Sequence, residues 1–242
     1  IGFEEKPEFP KEIPGDPGYS LVSMGNYIFK TDILSHELRV DAEDSKSSHD
    51  FGKDIIPKLF PRGNVYVYNL SNNVIDGEPK EVYWRDVGSV DAYWDAHMDL
   101  LKDNAPFSLM NVKWALHTFY PPLPPAHFSD TAHNQSMVSQ SMISAGCNIE
   151  GAHINKSVLG FRCSVLDGAV VEESVFIGDV KIGANCKIRR AIIDRDVELA
   201  PGFTLGYDAE ADKKLITSDD PNGPRISSNG IIVIPKGMKL GF

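Results

Sequence analysis

Two segments near the start of the sequence combine side chains that could bind a phosphorylated sugar. In Phe3-Glu-Glu-Lys-Pro7, Glu5 could accept hydrogen bonds from sugar hydroxyls and Lys6 could pair with a phosphate. In Ser23-Met-Gly-Asn-Tyr27, the hydroxyls of Ser23 and Tyr27 would lie on one face of an extended strand, because the two residues are an even number of positions apart. Taken alone, each segment also fits a solvated ion pair or an ordinary buried strand.

A third segment, Ser48-His-Asp-Phe-Gly-Lys-Asp54, is a dense polar turn ahead of a predicted helix. Asp50 could bind sugar hydroxyls, and Phe51 could form a pocket wall. His49 could act as a base, although a histidine beside a helix start more often has a capping or structural role. The turn is therefore a candidate binding site in which we interpret His49 as structural.

A fourth segment, Tyr83-Trp-Arg-Asp-Val-Gly88, carries an aromatic ring and a carboxylate two residues apart. The flat ring of Trp84 suits the apolar face of a sugar. Asp86 supplies a hard oxygen of the kind that Mg²⁺ takes together with substrate phosphates. The alternative interpretation of Asp86 is a strand-end residue that caps the next helix.

Hydrophobic patterning predicts the elements that must position these residues. We expect strands over residues 19–29 and 65–68, and helices within 31–48, over 50–59 and from about Val90 to Leu101. Ser89 is the expected N-cap of the last helix. The proline run 121–125 stiffens the chain, so we expect one domain over residues 1–120 and a second over 121–242.

The second half of the sequence repeats a small apolar residue every five or six positions. One register reads Val138, Ile143, Ile149, Ile154, Leu159, Val165, Val170, Val175, Ile182, Ile188, Ile193 and Leu199. This period is neither that of a helix nor that of a half-buried strand. It is typical of a left-handed parallel β-helix, whose sides take about six residues each and whose coils are stable only when stacked.

Composition narrows the class of protein. The net charge of −10 argues against a general nucleic-acid binder, and no apolar run approaches the length of about 20 residues that a membrane helix needs. The three cysteines, at positions 147, 163 and 186, are odd in number and match no metal-binding spacing. We therefore expect buried free thiols in a reducing compartment.

In this order, and followed by a hexapeptide repeat, the four segments resemble the bacterial glucose-1-phosphate adenylyltransferases. The resemblance covers nearly the whole chain and is strongest over Ser48 to Pro57 and Tyr83 to Trp94. It implies an α/β remnant of a Rossmann-like nucleotidyltransferase domain followed by a left-handed parallel β-helix. It also implies synthesis of ADP-glucose and pyrophosphate from ATP and glucose 1-phosphate, for glycogen synthesis, by a cytoplasmic homotetramer without membrane or nucleic-acid partners.

The resemblance assigns site residues one by one. It implies that glucose 1-phosphate is contacted by Glu5, Lys6, Ser23, Tyr27, Asp50, Phe51 and Trp84. It makes Asp86 one of two aspartates that hold Mg²⁺, which would stabilise charge as the sugar phosphate attacks the α-phosphate of ATP in line. It further implies sugar-phosphate and adenine-nucleotide effectors at Arg195, Arg189 and Arg190, although these arginines also fit a solvated edge of the solenoid.

Two features of the family are missing from the 242 residues. The glycine-rich nucleotide loop and the second metal-binding aspartate do not occur, and the first residue is Ile1. We therefore expect a fragment that is inactive by itself, from a longer gene product that is the enzyme.

Three alternatives remain open at this stage. A trimeric hexapeptide acyltransferase would use His153 as its base. A guanylyl- or uridylyltransferase would share the sugar-phosphate motifs, and a non-catalytic regulatory or assembly subunit would use the solenoid alone.

Overall fold

The computed structural model describes residues 3–4, 7–63, 65–215, 220 and 222–242. The chain divides into two compact units, Ile1–Leu70 and Ser71–Phe242. The predicted boundary after residue 120 thus lies inside the second unit, because residues 71–120 include a helix that packs on the solenoid. Within the described ranges, no helix is long and apolar enough to cross a membrane.

The first unit consists of short helices joined by extended chain. Helix α1 spans Thr31–Glu43, and a π-helical turn at Phe51–Ile55 leads into α2 (Ile56–Leu59) and a 3-10 turn at Phe60–Arg62. Among the described residues of this unit, the buried apolar side chains are Ile55 and Ile56. The helices predicted within 31–48 and over 50–59 are therefore confirmed.

The strands predicted over residues 19–29 and 65–68 are not formed. Both segments lie outside any sheet, and in the described part of the chain every strand lies from His127 onward. A strand is stable only beside a neighbour that accepts and donates its backbone hydrogen bonds. The β-forming residues at these positions meet no such neighbour among the described residues.

The second unit begins with a single α-helix of ten residues, α3 (Val90–Asp99), between 3-10 turns at Leu70–Asn72 and Val112–Trp114. The Ser89 hydroxyl accepts a hydrogen bond of 3.1 Å from the Ala92 N–H, which confirms the predicted N-cap. Helix α4 spans Ala209–Lys214 and interrupts the solenoid, since coil strands both precede and follow it in the sequence.

Three faces of parallel strands form the solenoid. The first face is β1 (His127–Ser129), β4 (Asn148–Glu150), β7 (Ser164–Val165), β10 (Lys181–Ile182), β13 (Glu198–Leu199) and β17 (Lys239–Leu240). The second is β2 (Met137–Ser139), β5 (His153–Asn155), β8 (Val170–Glu172), β11 (Lys187–Arg189) and β14 (Thr204–Leu205). The third is β3 (Met142–Ile143), β6 (Val158–Phe161), β9 (Val175–Gly178), β12 (Ala191–Ile193), β16 (Ile232–Ile234) and β15 (Arg225–Ile226), of which β15 alone is antiparallel.

The coils stack in register and bury one apolar column per face. Ser164 pairs with Lys181, which pairs with Glu198, so these two central coils take 17 residues each, and the predicted parallel β-helix is confirmed. Most residues of the predicted inward column are buried, but two predictions are wrong by one position. Val171 and Phe176 point into the core where Val170 and Val175 were expected. At both places two apolar residues are adjacent in the sequence, and the period alone does not determine which of the two points inward.

Val175 instead belongs to a second cluster on the outside of the solenoid. This cluster consists of three solenoid residues and three residues of α3. Val175, Ile192 and Ile231 of the solenoid pack against Tyr93, Trp94 and Met98 of the helix. The indole N–H of Trp94 donates a hydrogen bond of 2.7 Å to the backbone carbonyl of Glu173. Helix α3 is thus held to the solenoid by apolar burial and by a directed hydrogen bond.

The three cysteines are free thiols inside the coils. Each is buried, as the sequence predicted. Burial raises the pKa of Cys186, and a hydrogen bond with Cys147, together with burial, raises the pKa of Cys163. These two side chains therefore act as small core residues and remain protonated at neutral pH.

Candidate functional site

Four of the predicted sugar-phosphate residues line one cavity within the first unit. The cavity has a volume of about 620 Å³. Its lining is Ser23, Gly25, Tyr27, Phe29, Leu34, His49, Asp50, Phe51 and Gly52. Segments 23–29 and 49–52, which are separated in the sequence, therefore meet around one open space.

A turn at Gly25 brings the two predicted hydroxyls together. Ser23 Oγ lies 3.0 Å from the hydroxyl oxygen of Tyr27, and the Gly25 N–H donates to Ser23 Oγ at 3.2 Å. Gly25 has φ +72°, a conformation that glycine adopts without strain. The hydroxyls are adjacent, as expected, but a turn places them there rather than the even spacing of a strand.

Three aromatic rings form one wall of this cavity. The rings of Tyr27 and Phe51 stack with centroids 5.9 Å apart and an interplanar angle of 24°. Phe29 contacts both, at centroid distances of 6.3 Å to Tyr27 and 5.8 Å to Phe51. Such a wall offers apolar faces beside the polar groups of the cavity.

Asp50 caps the π-helical turn with one carboxylate oxygen. Its Oδ1 accepts hydrogen bonds from the backbone N–H groups of Gly52 and Lys53 at 2.8 and 2.9 Å. Its Oδ2 makes no hydrogen bond with any described residue. One oxygen therefore fixes the side chain, and the other remains able to accept a hydrogen bond from a ligand.

A buried carboxylate that the motifs did not predict supports the cavity from α1. Asp41 is 4% exposed and accepts hydrogen bonds from the Ser47 hydroxyl at 2.7 Å and from Lys58 Nζ at 3.3 Å. Its Oδ2 lies 2.9 Å from Nδ1 of His49. The hydrogen bonds from Ser47 and His49 lower the pKa of Asp41. No spacing rule links positions 41 and 49, because an irregular loop brings the chain back.

Trp84 and Asp86 belong to the second unit, where they lie on a short extended segment before α3. Trp84 is 45% exposed, and Asp86 is also exposed. Asp86 Oδ1 accepts a hydrogen bond of 3.1 Å from the Gly88 N–H, which stabilises a turn and leaves Oδ2 free of described partners. Among the described residues, no group of three His, Cys, Asp or Glu side chains could hold a metal. A single free carboxylate oxygen still fits Mg²⁺, which takes one or two carboxylates and completes its shell with phosphates and water.

The residues that alternate with Trp84 and Asp86 anchor this segment to α3. The Tyr83 hydroxyl donates to Asp99 Oδ2 at 3.0 Å, and the Arg85 guanidinium lies 2.7 Å from the same oxygen. Lys102 Nζ donates to Asp99 Oδ1 at 2.6 Å. Burial disfavours the charge of Asp99, but the hydrogen bonds from Lys102 and Tyr83 outweigh it and lower the pKa of this carboxyl.

The three predicted effector arginines differ in their surroundings. Arg189 lies 3.9 Å from a Glu173 carboxylate oxygen. Arg190 donates to the Asn229 carbonyl at 3.0 Å and lies 5.1 Å above the ring of Trp94. The Arg195 guanidinium makes no hydrogen bond or close ion pair within the described ranges, but its charge contributes to lowering the pKa of Asp179.

Two predicted residues, Glu5 and Lys6, lie outside the described residues. The structure thus brings Ser23, Tyr27, Asp50 and Phe51 together. Trp84 and Asp86 share one segment of the other unit, and the arginines lie on the solenoid.

Comparisons with known proteins identify both parts of the chain. Residues 1–103 match the nucleotidyl transferase family, and residues 124–234 match the GlmU-like C-terminal hexapeptide family. Glucose-1-phosphate adenylyltransferases of Photobacterium profundum and Vibrio vulnificus are 57% and 54% identical to this chain over all 242 residues. That of Anaeromyxobacter sp. is 42% identical over 246 aligned residues.

These alignments cover at least 99% of this chain and 58% of each relative. The chain therefore spans less than two thirds of the length of the relatives that it matches. Over the stretch that it spans, the chain is similar to these adenylyltransferases, which confirms the resemblance drawn from its motifs.

Proposed function

We propose that this chain carries the sugar-phosphate site of a glucose-1-phosphate adenylyltransferase, which makes ADP-glucose and pyrophosphate from ATP and glucose 1-phosphate for glycogen synthesis. The observation that carries the proposal is that Ser23, Tyr27, Asp50 and Phe51 all line the same cavity. The family match over residues 1–103 supports it. The relatives that align over all 242 residues are named glucose-1-phosphate adenylyltransferases. This favours adenylyl transfer over the function of an acyltransferase or a regulatory subunit.

The cavity residues would bind and orient the sugar. The free Oδ2 of Asp50 accepts a hydrogen bond from a sugar hydroxyl, and the hydroxyls of Ser23 and Tyr27 can donate or accept further bonds. The stacked rings of Tyr27 and Phe51 lie against the apolar face of the sugar. Glu5 and Lys6 would complete the site with a carboxylate and a phosphate-binding ammonium.

Trp84 and Asp86 have the remaining roles in the proposal. The exposed ring of Trp84 provides another apolar face for the sugar. Asp86 would hold Mg²⁺ through its free oxygen, and the cation when bound neutralises charge on the phosphates. Nucleotidyl transfer depends mainly on such positioning and charge neutralisation, so side chains that orient the sugar phosphate suffice on this side of the reaction.

We extend the proposal to regulation and assembly. Unlike the guanidinium groups of Arg189 and Arg190, that of Arg195 makes no hydrogen bond or close ion pair within the described ranges, so it can bind an anionic effector such as a sugar phosphate or an adenine nucleotide. Weaker effector binding in Arg195→Ala would support this role, and unchanged binding would refute it. A cytoplasmic homotetramer fits the free buried thiols and the stacked solenoid.

Calorimetric titration of glucose 1-phosphate into the 242-residue protein tests the site. We expect saturable 1:1 binding that Asp50→Asn weakens at least about tenfold, which corresponds to about 1.4 kcal/mol. Asparagine keeps an oxygen for the helix cap but replaces the free acceptor by a donor. Asp32→Asn, an exposed aspartate in the first turn of α1, is the matched control and should bind normally. Equal affinity of Asp50→Asn and wild type would contradict the proposal.

A further inference from the structure

His49 stands out among the residues that line the cavity, since its conformation is unusual for its place in the fold. Its φ is +58°, in the left-handed region. The other described residues with positive φ that are not glycine all lie at corners of the solenoid coils, from Gln140 onward. Strained backbone outside a repeating architecture persists only where surrounding contacts enforce it, and it concentrates at functional sites.

Several hydrogen bonds enforce this conformation. The His49 N–H donates to Ser47 Oγ at 3.0 Å. On either side, the N–H groups of Ser48 and Asp50 both donate to Asp54 Oδ2, at 3.2 and 3.1 Å. Hydrogen bonds therefore fix the backbone on both sides of His49. The fixed backbone determines the direction in which the His49 side chain leaves the turn.

Asp41 then orients the imidazole. Its buried carboxylate lies 2.9 Å from Nδ1 of His49, and it is itself held by Ser47 and Lys58. A carboxylate only accepts, so Nδ1 carries the proton, and the lone pair of a neutral ring lies on Nε2. The His49 side chain is 59% exposed and lines the cavity, and its Nε2 makes no hydrogen bond with a described residue.

We propose that His49 is a further sugar-binding residue, whose Nε2 accepts a hydrogen bond from a sugar hydroxyl beside the free oxygen of Asp50. Asp41 is a positioning residue that fixes the tautomer and the ring orientation. The proposal rests on the proposed function of the cavity and adds a second acceptor to it. Two acceptors that line one cavity favour a ligand with two hydroxyl donors, whereas inorganic phosphate carries at most one at pH 8.

Binding of glucose 1-phosphate and of inorganic phosphate to His49→Asn, measured at about pH 8, tests this role. Asparagine tolerates the left-handed conformation, and its amide can still donate to Asp41, but it has no atom equivalent to Nε2. We expect at least tenfold weaker binding of glucose 1-phosphate, unchanged binding of inorganic phosphate and an unchanged or raised melting temperature. His36→Asn, an exposed histidine of α1, is the control and should match wild type.

The other outcomes separate this inference from the proposed function. Wild-type affinity of His49→Asn for glucose 1-phosphate would overturn the role of His49 and leave the cavity assignment intact. Parallel loss of phosphate binding would overturn the acceptor role, since His49 would then contact the phosphate. Absence of glucose 1-phosphate binding by the wild-type protein would overturn both. Asp41→Asn should weaken binding less than His49→Asn, because it frees the ring without removing it.

Discussion

Asp99 shows how a residue outside every motif can determine the position of the residues inside one. Tyr83 and Arg85 both contact its carboxylate, so the side chains of Trp84 and Asp86, which alternate with them, project from an anchored segment. Asp99 as a residue is 6% exposed, and a buried charge of this kind is stable only while its partners are present.

We expect Asp99→Asn to lower the free energy of unfolding at pH 7 by about 1–3 kcal/mol, because hydrogen bonds to a charged group are lost in a buried place. The pKa of Asp99 is lower in the folded protein than its ordinary value of about 3.9. Its contribution to stability is therefore present above that pH and is lost as the pH falls through the folded-state value. Urea unfolding at pH 7 and at pH 3 should show a smaller effect of the substitution in acid.

Asp103→Asn, at an exposed aspartate in the turn after α3, is the matched control for this experiment. An equal loss of stability in both variants, or an effect of Asp99→Asn that grows in acid, would show that the Asp99 ion pairs do not stabilise the segment.

At the residue scale, the sequence predicted the side chains that a ligand could touch but not those that hold them. Asp50 and Phe51 carry recognisable chemistry in a polar turn, and both line the cavity. Asp41 and Asp99 lie on ordinary amphipathic helices, where an acidic residue usually faces water. Only the folded chain shows that loops and neighbouring segments cover them.

Among the elements, the solenoid is the part whose stability can be predicted most directly. Leu159 of β6 is fully buried between Ile143 of β3 and Phe176 of β9. We expect Leu159→Ala to lower the free energy of unfolding by about 2–5 kcal/mol, from lost burial and from the cavity left behind. Chemical denaturation followed by circular dichroism would measure the loss.

Leu116→Ala provides the comparison, since Leu116 is 68% exposed. Its effect should lie within about 0.5 kcal/mol of zero. If Leu159→Ala were as mild as Leu116→Ala, the inward column would not be the source of solenoid stability.

The two kinds of element differ in how well the sequence predicted them. The solenoid follows from a period, because each coil repeats the same contacts with its neighbours and the pattern is visible locally. The choice between adjacent apolar residues was wrong at Val170 and Val175, and Val138, at the end of the predicted column, is 39% exposed. The strands predicted before residue 70 depend on partners that no local pattern reveals, and in the structure those residues lie outside any sheet.

In the whole molecule, one helix lies against the solenoid and carries, just before its start, the segment with Trp84 and Asp86. Three kinds of contact attach helix α3 to the solenoid. They are the apolar cluster, the hydrogen bond of the Trp94 indole and a hydrogen bond of 2.9 Å from the Ser228 hydroxyl to Asp91. Arg190, next to Trp94, participates in this attachment. The hexapeptide half of the chain therefore supports residues of the nucleotidyl transferase half.

The most direct test of the proposed function is ADP-glucose synthesis by a chimera. The 242 residues would replace the matched stretch of the Photobacterium profundum relative, to which they are 57% identical. Pyrophosphate release from ATP and glucose 1-phosphate would then be measured with Mg²⁺. We predict an active chimera, in which Asp86→Asn lowers kcat/KM at least about 100-fold and Asp103→Asn leaves it unchanged. A chimera that folds with the melting temperature of the parent enzyme but releases no pyrophosphate, or one that keeps full activity with Asp86→Asn, would contradict this account.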